Sequence, residues 1–228
     1  MKRIQKEVEQ MGISELLEKA KEFHGHICPY LSLGLRASAL AMEELGVEKL
    51  SFNESVGEKI LAIVEANNCF TDGVQIATGC TLGNNCLIYM DLGKNALTLT
   101  KRDSWEAVRV YIDRDKIQKY FSDEEMQLFR RVVTERKGDH EDRIKLGVIW
   151  ERKGYDMLDV PKKTFKIERL KIDPVEIAPI FESLRCASCD EFAMETRIKQ
   201  IDGKPYCLKC AKEKFSAVLG RGIVDWHK

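Results

Sequence analysis

The stretch EFHGHICPYL at residues 22–31 concentrates side chains that bind metals or react as thiols. His24, His26 and Cys28 occupy alternate positions in it, and the chain has four histidines in all. Imidazole and thiolate together favour zinc or iron over harder metal ions. Both residue types also occur as plain core residues, so the stretch alone leaves metal binding, redox chemistry and packing open.

A second segment supplies partners for this cluster. Cys69 follows a predicted buried strand in EANNCFTD, and Cys80 lies in a glycine-flanked turn in ATGCTLGNN. We expect one of the two clustered histidines to join Cys28 and Cys69 in binding a core metal, zinc or iron, with Cys80 as a further candidate ligand. Fewer than four protein ligands would leave a position open to water or substrate, as in catalytic zinc sites.

Polar residues near these cysteines are candidates for catalysis or substrate binding. Asp72 lies three residues after Cys69, so a helical turn would bring both to one cleft, where the carboxylate can orient an imidazole or carry a proton. Gln75 and Lys94 are candidates for binding the polar groups of a substrate. Cys28 is the candidate reactive thiol, because a helix predicted to start beside it favours the thiolate.

The C-terminal region carries CASC at 186–189 and CLKC at 207–210, separated by seventeen residues. Two such turns present four thiolates, which complete a tetrahedron around zinc. Because that coordination is complete, we expect no catalysis there. Two thioredoxin-like redox pairs are the alternative, but neither pair lies in a βαβ pattern. We therefore predict a structural zinc finger whose ligands are Cys186, Cys189, Cys207 and Cys210.

The apolar pattern of the first half predicts an α+β fold, with an antiparallel sheet packed with helices. Cys86, at the start of a predicted hairpin, is interpreted as structural. The predicted elements are helices over 14–23 with Ser14 as N-cap, 29–45 and 71–79, strands over 59–67 and 105–113, and a hairpin over 86–103 that turns at Gly93.

The second half is more highly charged. Residues 122–153 are predicted to be helical, with Ser122 as a cap and most charges on a solvated face. A strand over 162–172 follows, and prolines then mark the passage into the cysteine module. We predict two domains, a core with a helical extension over 1–172 and a small zinc-ribbon-like finger over 180–228.

Composition narrows the function classes. Lysine plus arginine and aspartate plus glutamate both number 37, so the net charge is zero and a generally basic nucleic-acid-binding protein is disfavoured. No apolar run is long enough to cross a bilayer, and residues 1–23 lack the apolar segment of a signal peptide. We expect a cytoplasmic protein, in which eight cysteines favour metal or thiol chemistry over disulfides.

Three separated segments resemble the FmdE family, named after the formylmethanofuran dehydrogenase component FmdE. They are FHGHICPYLSLGLR, VEANNCFTDGVQIATGCTLGNN and DLGKNALTLTKR, followed by the four-cysteine finger of some members. Tyr30 stands where the family commonly has glycine after Cys-Pro, a change that affects access to the site rather than its ligands. The resemblance implies an α+β core with a His/Cys cleft and a homodimer, but members also occur where the formylmethanofuran pathway is absent.

Three functions remain open at this point. The first is a metal-dependent oxidoreductase, or its accessory subunit, in one-carbon or molybdopterin-related redox metabolism, acting on a small molecule. The second is a zinc-ribbon binding module that contacts nucleic acid or a protein partner. The third is a thiol oxidoreductase that uses Cys28 and Cys69. Small residues of the 29–45 helix invite close helix packing and favour a homodimer: Gly34, Ala37, Ser38 and Ala41.

Overall fold

The computed structural model describes residues 12–226, and the chain divides into two compact units. The first unit ends at Val175 and the second begins at Glu176. The charged segment before Gly12, and His227, lie outside the described residues. None of the helices in the described part of the chain is both long enough and apolar enough to cross a membrane.

The sheet of the first unit has five strands: β1 Ile60–Val64, β2 Leu87–Tyr89, β3 Ala96–Lys101, β4 Glu106–Ile112 and β5 Phe165–Lys171. Their spatial order is β2-β1-β3-β4-β5. Strand β1 is apolar and buried at every position, which suits a strand with neighbours on both sides. Strand β4 alternates as predicted, with Val108, Val110 and Ile112 all buried.

One predicted connection of this sheet is wrong. The two strands of the predicted hairpin over 86–103 flank β1 instead of pairing with each other. Strand β1 pairs parallel with β2 and antiparallel with β3, because a fully apolar strand is stable only when both of its edges and faces are covered. The sheet is therefore mixed at one edge, while the α+β class is confirmed.

The helices of the first unit are α1 Ile13–His24, α2 Pro29–Leu45, α3 Phe52–Val56, α4 Cys69–Thr78, α5 Arg114–Gln118, α6 Asp123–Phe129 and α7 His140–Leu158. Helix α1 begins one residue earlier than predicted, so that Gly12 rather than Ser14 occupies the N-cap position. Helix α4 begins two residues earlier than predicted, which makes Cys69 its first residue. Helix α2 packs on β3 and β4 and forms the centre of the core.

Helices α2 and α4 approach closely at two glycines. A Cβ on Gly34 would lie 2.1 Å from the carbonyl oxygen of Phe70, and a Cβ on Gly73 would lie 2.3 Å from that of Leu31. The other small residues of this α2 face are buried as well: Ala37, Ser38 and Ala41. The small-residue face therefore serves the core, and the prediction of a homodimer rests on the family resemblance alone.

The charged segment after β4 forms α6, a π-helical turn at Arg130–Thr134 and the long helix α7. Ser122 caps α6 as predicted, since its Oγ accepts a hydrogen bond from the Glu125 N–H at 3.2 Å. The Glu125 carboxylate also lies 3.2 Å from Nζ of Lys153, which ties α6 to α7. Helix α7 passes beside the start of α2, as the short distance at Gly154 shows: a Cβ there would lie 3.5 Å from the carbonyl carbon of Cys28.

The second unit consists of short antiparallel pairs: β6 Ser183–Arg185 with β7 Phe192–Met194, β8 Ile198–Ile201 with β9 Lys204–Cys207, and β10 Phe215–Leu219 with β11 Gly222–Trp226. Asp202 and Gly203 connect β8 to β9 with φ of 49° and 72°. Positive φ at both positions is the requirement of a two-residue hairpin turn, which an Asp-Gly pair meets well.

Candidate metal centre

The four cysteines of the second unit converge on one point. Their sulfur atoms all lie within 4.8 Å of one another, and Sγ of Cys189 is 4.0 Å from Sγ of Cys207. A tetrahedral zinc with Zn–S bonds of about 2.3 Å places its sulfurs about 3.8 Å apart, so the arrangement fits that ion. Backbone N–H groups of Cys189 and Cys207 lower the pKa of the Cys186 thiol to about 6 and favour the ligating thiolate. The fourth sulfur is that of Cys210.

A second cluster lies in the first unit, where three helices begin or end. His24 is the last residue of α1, which ends at Gly25 in the left-handed conformation with φ of 92°. Cys28 is the N-cap residue of α2, and Cys69 is the first residue of α4. The structure brings together one donor atom from each of four residues, all within 4.8 Å of one another: His24, His26, Cys28 and Cys69.

The His24 ring is oriented from behind by two polar side chains. Its Nδ1 lies 2.7 Å from Oδ2 of Asp72, and Nε2 of Gln75 donates to Oδ1 of the same carboxylate at 3.1 Å. An ionised carboxylate can only accept, so Nδ1 donates and a neutral ring keeps its lone pair on Nε2. In the described structure that Nε2 atom is buried and has no hydrogen-bond partner. Asp72 thus holds the His24 ring, and Gln75, a predicted substrate-binding residue, contacts Asp72.

The two core cysteines interact through their thiols. A hydrogen bond from Cys28, followed by the nearby imidazole of His24, lowers the pKa of the Cys69 thiol to about 6. The same hydrogen bond, together with burial, raises the pKa of the Cys28 thiol far above its ordinary value. Without a metal, Cys69 therefore carries the negative charge of the pair. Both sulfurs stand at helix N-termini, where the helix dipole favours a thiolate ligand.

His26 is the exposed member of the core cluster. Its ring centroid lies 4.5 Å from that of His24, and burial, followed by the electrostatic interaction with the His24 ring, lowers the pKa of His26 and so favours its neutral form. Four donors would close a tetrahedron, so the open position expected from the sequence requires one of them to leave the metal. His26 is the donor that solvent or a substrate can reach.

One predicted metal ligand, Cys80, lies elsewhere. Cys80 is buried, with Sγ 3.8 Å from the carbonyl oxygen of Ile60, and burial raises the pKa of its thiol to about 12. Helix α4 separates Cys80 from Cys69 by roughly 15 Å at 1.5 Å per residue, so the structure does not bring Cys80 to the cluster. Lys94 is exposed in the loop before β3, where its backbone N–H donates to the carbonyl oxygen of Glu65 at 3.0 Å. Cys86 is buried.

A cavity of about 570 Å³ opens beside the core cluster. His26, Cys28 and Cys69 form one part of its wall, and Tyr30 borders the same space. The opposite wall comes from the end of α6, the π-helical turn and α7: Phe129, Val132, Val133, Leu146 and Trp150. Its volume lies in the range of small-molecule sites, and a metal held by the cluster would face it.

Sequence reasoning missed this second wall. The segment that forms it is rich in charged residues, and those charges suggested a solvated helical face. Two signals in the sequence could have indicated the wall: Trp150, a large aromatic residue in a charged helix, and Gly147, a glycine in a helix interior. Phe129 stacks on the Trp150 ring at a centroid distance of 4.8 Å, which gives the cavity a flat aromatic face.

Comparison with known proteins gives a family match for each of the two units. Residues 23–166 match the family model "FmdE, Molybdenum formylmethanofuran dehydrogenase operon", and residues 179–214 match "Prokaryotic dksA/traR C4-type zinc finger". An Archaeoglobus fulgidus protein named "Probable S-adenosyl-L-methionine-binding protein" is 55% identical over 217 residues, which are 95% of this chain and 58% of that protein. The present chain thus spans little more than half of that relative.

A solved structure gives the same assignment. It is the crystal structure of a tungsten formylmethanofuran dehydrogenase FmdE-like protein from Syntrophus aciditrophicus, with a TM-score of 0.56 and 25% identity. The match covers 87% of this chain and 91% of that one. The four clustered cysteines of the second unit lie within the matched finger and constitute a structural zinc site. Since the FmdE model also matches more than half of the sequence, the chain belongs to the FmdE family.

Proposed function

We propose that this protein is a metal-dependent enzyme, or the metal-bearing accessory subunit of one, that acts on a small molecule in the cavity. The observation that carries the proposal is the buried Nε2 atom of His24, which has no hydrogen-bond partner in the described structure while Asp72 holds the other ring nitrogen. A buried polar atom without a partner is costly, and a metal ion would satisfy it. The carboxylate–histidine pair is the usual support of a ligating imidazole.

Each residue of the core cluster has a distinct role in this proposal. His24, Cys28 and Cys69 would hold zinc or iron, and Asp72 would fix the ring of His24. When bound, zinc would supply a Lewis acid and iron would in addition supply a redox centre. His26 stands between the cluster and the cavity, where its neutral ring can serve as a replaceable fourth ligand or accept a proton from a bound substrate. A role in one-carbon or molybdopterin-related redox metabolism follows from the family name and is part of the proposal.

The name of the Archaeoglobus relative introduces S-adenosyl-L-methionine as a ligand to consider. The present chain spans 58% of that protein, so the binding that its name describes can belong to the part that this chain does not match. The described residues that line the cavity include no Asn, Gln, Ser or Thr side chain to recognise an adenine ring. We therefore propose a metal-dependent role and use S-adenosyl-L-methionine below as a test ligand.

Metal analysis of natively purified protein tests the proposal. We expect two metal ions per chain in the wild type, one in the finger and one in the core. The Cys69→Ser variant should retain one, because it loses a core thiolate, and the Cys207→Ser variant should also retain one. Cys80→Ser is the matched control, a buried cysteine outside both clusters, and it should retain two. One ion in the wild type, lost in Cys207→Ser and kept in Cys69→Ser, would refute a core metal.

The contact between Cys28 and Cys69 favours a second candidate function, thiol–disulfide exchange. In that reaction the Cys69 thiolate would attack a substrate disulfide, and Cys28 would then resolve the mixed disulfide. The dithiol would give up two electrons and two protons, and the substrate would leave as two thiols. In metal-free protein, a Cys28→Ser variant that traps a mixed disulfide on Cys69 would support exchange. Failure to trap it, with a core metal present in native protein, would support the metal centre.

A further inference from the structure

The cavity beside the core cluster has a mostly apolar lining with three charged residues, Lys21, Arg143 and Glu151. The stacked rings of Phe129 and Trp150 give it a flat wall, and Ile27 and Leu146 add aliphatic surface. Amide and hydroxymethyl side chains are absent from the described lining residues, so most of an occupant's surface would meet apolar side chains. The body of a fitting ligand is therefore flat and apolar.

A glycine on helix α7 keeps this cavity open. Gly147 lines the cavity, and a Cβ built on it would meet no atom within 4 Å. Glycine in a helix interior lowers helix stability by about 1 kcal/mol relative to alanine. Because a Cβ at Gly147 would meet no atom, close packing does not explain why glycine occupies this position. Gly154 on the same helix has one, because its Cβ would lie 2.2 Å from Cγ2 of Ile27. The space above Gly147 is thus available to a ligand.

The cations at the cavity differ in their pairing. Lys21 is neutralised by Glu151 across a 2.8 Å ion pair. Arg143 lies on the cavity wall two turns before Trp150 on the same face of α7, is exposed, and has no side-chain ion-pair or hydrogen-bond partner in the described part of the chain. An unpaired guanidinium at the end of an apolar cavity favours a carboxylate or a phosphate, both of which it can bind with two parallel hydrogen bonds.

Helix α7 gives the distance between this guanidinium and the metal cluster. Gly154 adjoins Cys28, and Arg143 lies eleven residues earlier, which is about 16 Å along the axis at 1.5 Å per residue. Trp150 lies between them. An arginine side chain reaches back over part of that distance, so a ligand on the order of 10 Å long would span the remainder.

We propose that the cavity binds a small molecule with a flat apolar body and one terminal oxyanion. The oxyanion pairs with Arg143, the flat body lies against Trp150 over Gly147, and the opposite end meets the core cluster. The inference deepens the proposed function, on which it rests for the reaction at the cluster, and it names the substrate class. Ligand binding itself depends on Arg143 and Gly147, neither of which belongs to the metal cluster.

Calorimetric titration with a matched set of probes tests the class. The probes are 4-phenylbenzoate, 4-phenylphenyl phosphate, the neutral 4-phenylbenzamide, the cation 4-phenylbenzylammonium and S-adenosyl-L-methionine. We expect one or both oxyanions to bind about tenfold more tightly than the amide, as for a charge-assisted hydrogen bond. The relative affinity of the two oxyanions decides between carboxylate and phosphate. Preference for the cation, or binding of S-adenosyl-L-methionine alone, would overturn the proposal.

Three variants locate the binding site. Arg143→Gln should weaken oxyanion binding about tenfold and leave the amide unchanged. Gly147→Leu should abolish binding of both, because its side chain fills the cavity, whereas Val148→Leu is the control on the same helix, at an exposed position that does not line the cavity. Undiminished binding in Gly147→Leu, or equal loss of acid and amide in Arg143→Gln, would contradict the proposal.

Metal content and circular dichroism of each sample keep the two proposals separate. Wild-type protein that binds the oxyanion as expected but contains no core metal would overturn the proposed function and leave this inference standing. A protein whose core metal site is fully occupied but that shows no preference for the oxyanion would overturn this inference and leave the proposed function standing. Gly147→Leu that retains both metals and the wild-type spectrum shows that lost binding is local.

Discussion

The contact between helices α2 and α4 positions both core cysteines, and Gly34→Ala tests that link. Cys28 precedes α2 and Cys69 begins α4, so the separation of the two helices sets the separation of the two sulfurs. A Cβ on Gly34 would lie 2.1 Å from the Phe70 carbonyl oxygen, about 1.3 Å inside the 3.4 Å of an ordinary contact. Phe70 is the residue next to Cys69, so the displacement falls at the site.

The magnitude follows from two opposing effects. Alanine is favoured over glycine in a helix interior by about 1 kcal/mol. Overpacking in a well-packed core costs about 1–3 kcal/mol, and the upper end applies because the obstacle is backbone, which cannot rotate away. We expect a net loss of about 2 kcal/mol in the free energy of unfolding. Since metal ligands tolerate errors of about 0.2 Å, the core metal should also be lost while the finger zinc stays.

Urea denaturation and metal analysis measure both effects. A Trp226→Phe background confines the fluorescence signal to Trp105 and Trp150 of the first unit. Gly147→Ala is the matched control, the same substitution in a helix interior with free space around it, and it should gain up to about 1 kcal/mol and keep both metals. A Gly34→Ala protein as stable as wild type, with its core metal in place, would refute the reasoning.

Three further predictions address single residues. Cys207→Ser should release the finger zinc and increase hydrogen exchange after residue 176 only; exchange throughout the first unit would contradict independent units. Asp72→Asn should weaken the core metal about 10–100-fold in a chelator competition, by loosening His24; an unchanged affinity would remove Asp72 from the site. Burial raises the pKa of Glu125, but the Ser122 N–H and Lys153 have the larger combined effect, so the net pKa is lowered. The ionised carboxylate therefore stabilises the fold above pH 4.5, and this contribution is lost on acidification. Glu125→Gln should therefore cost on the order of 0.5–1 kcal/mol at pH 7 and nothing at pH 2; a constant difference in urea denaturation would exclude the ion pair as its cause.

Local sequence signals were sufficient for the parts of the site that depend on helix and strand ends. Pro29 suits the first turn of a helix, and it correctly indicated that Cys28 precedes α2. The apolar run at 59–67 correctly indicated a buried strand before Cys69, and the placement of Asp72 one turn later brought its carboxylate toward His24. In each case the sequence signal and the structural feature that it indicates lie within a few residues of each other along the chain.

The failures concern contacts between distant segments. The alternation of residues 86–103 is typical of two strands, but it does not indicate which strand each of the two pairs with. In the structure, the all-apolar strand β1 lies between β2 and β3. Cys80 lies close to Cys69 in sequence but at the other end of α4. Predicting the aromatic wall at Phe129 and Trp150 would require knowing that α7 passes beside Cys28, and no sequence periodicity indicates that contact.

The two clusters differ in the charge they would place around a divalent metal. Four thiolates in the finger give a net charge of −2 with Zn²⁺, and this excess of negative charge weakens the ability of the ion to attract electrons from a substrate. Two thiolates and two neutral imidazoles in the core give a net charge of zero, so the ion remains a stronger Lewis acid. The core cluster also has one exposed donor, His26, facing a cavity, whereas the finger has no such replaceable imidazole. If the core cluster holds a metal as proposed, ligand charge and access would both favour chemistry there and a folding role in the finger.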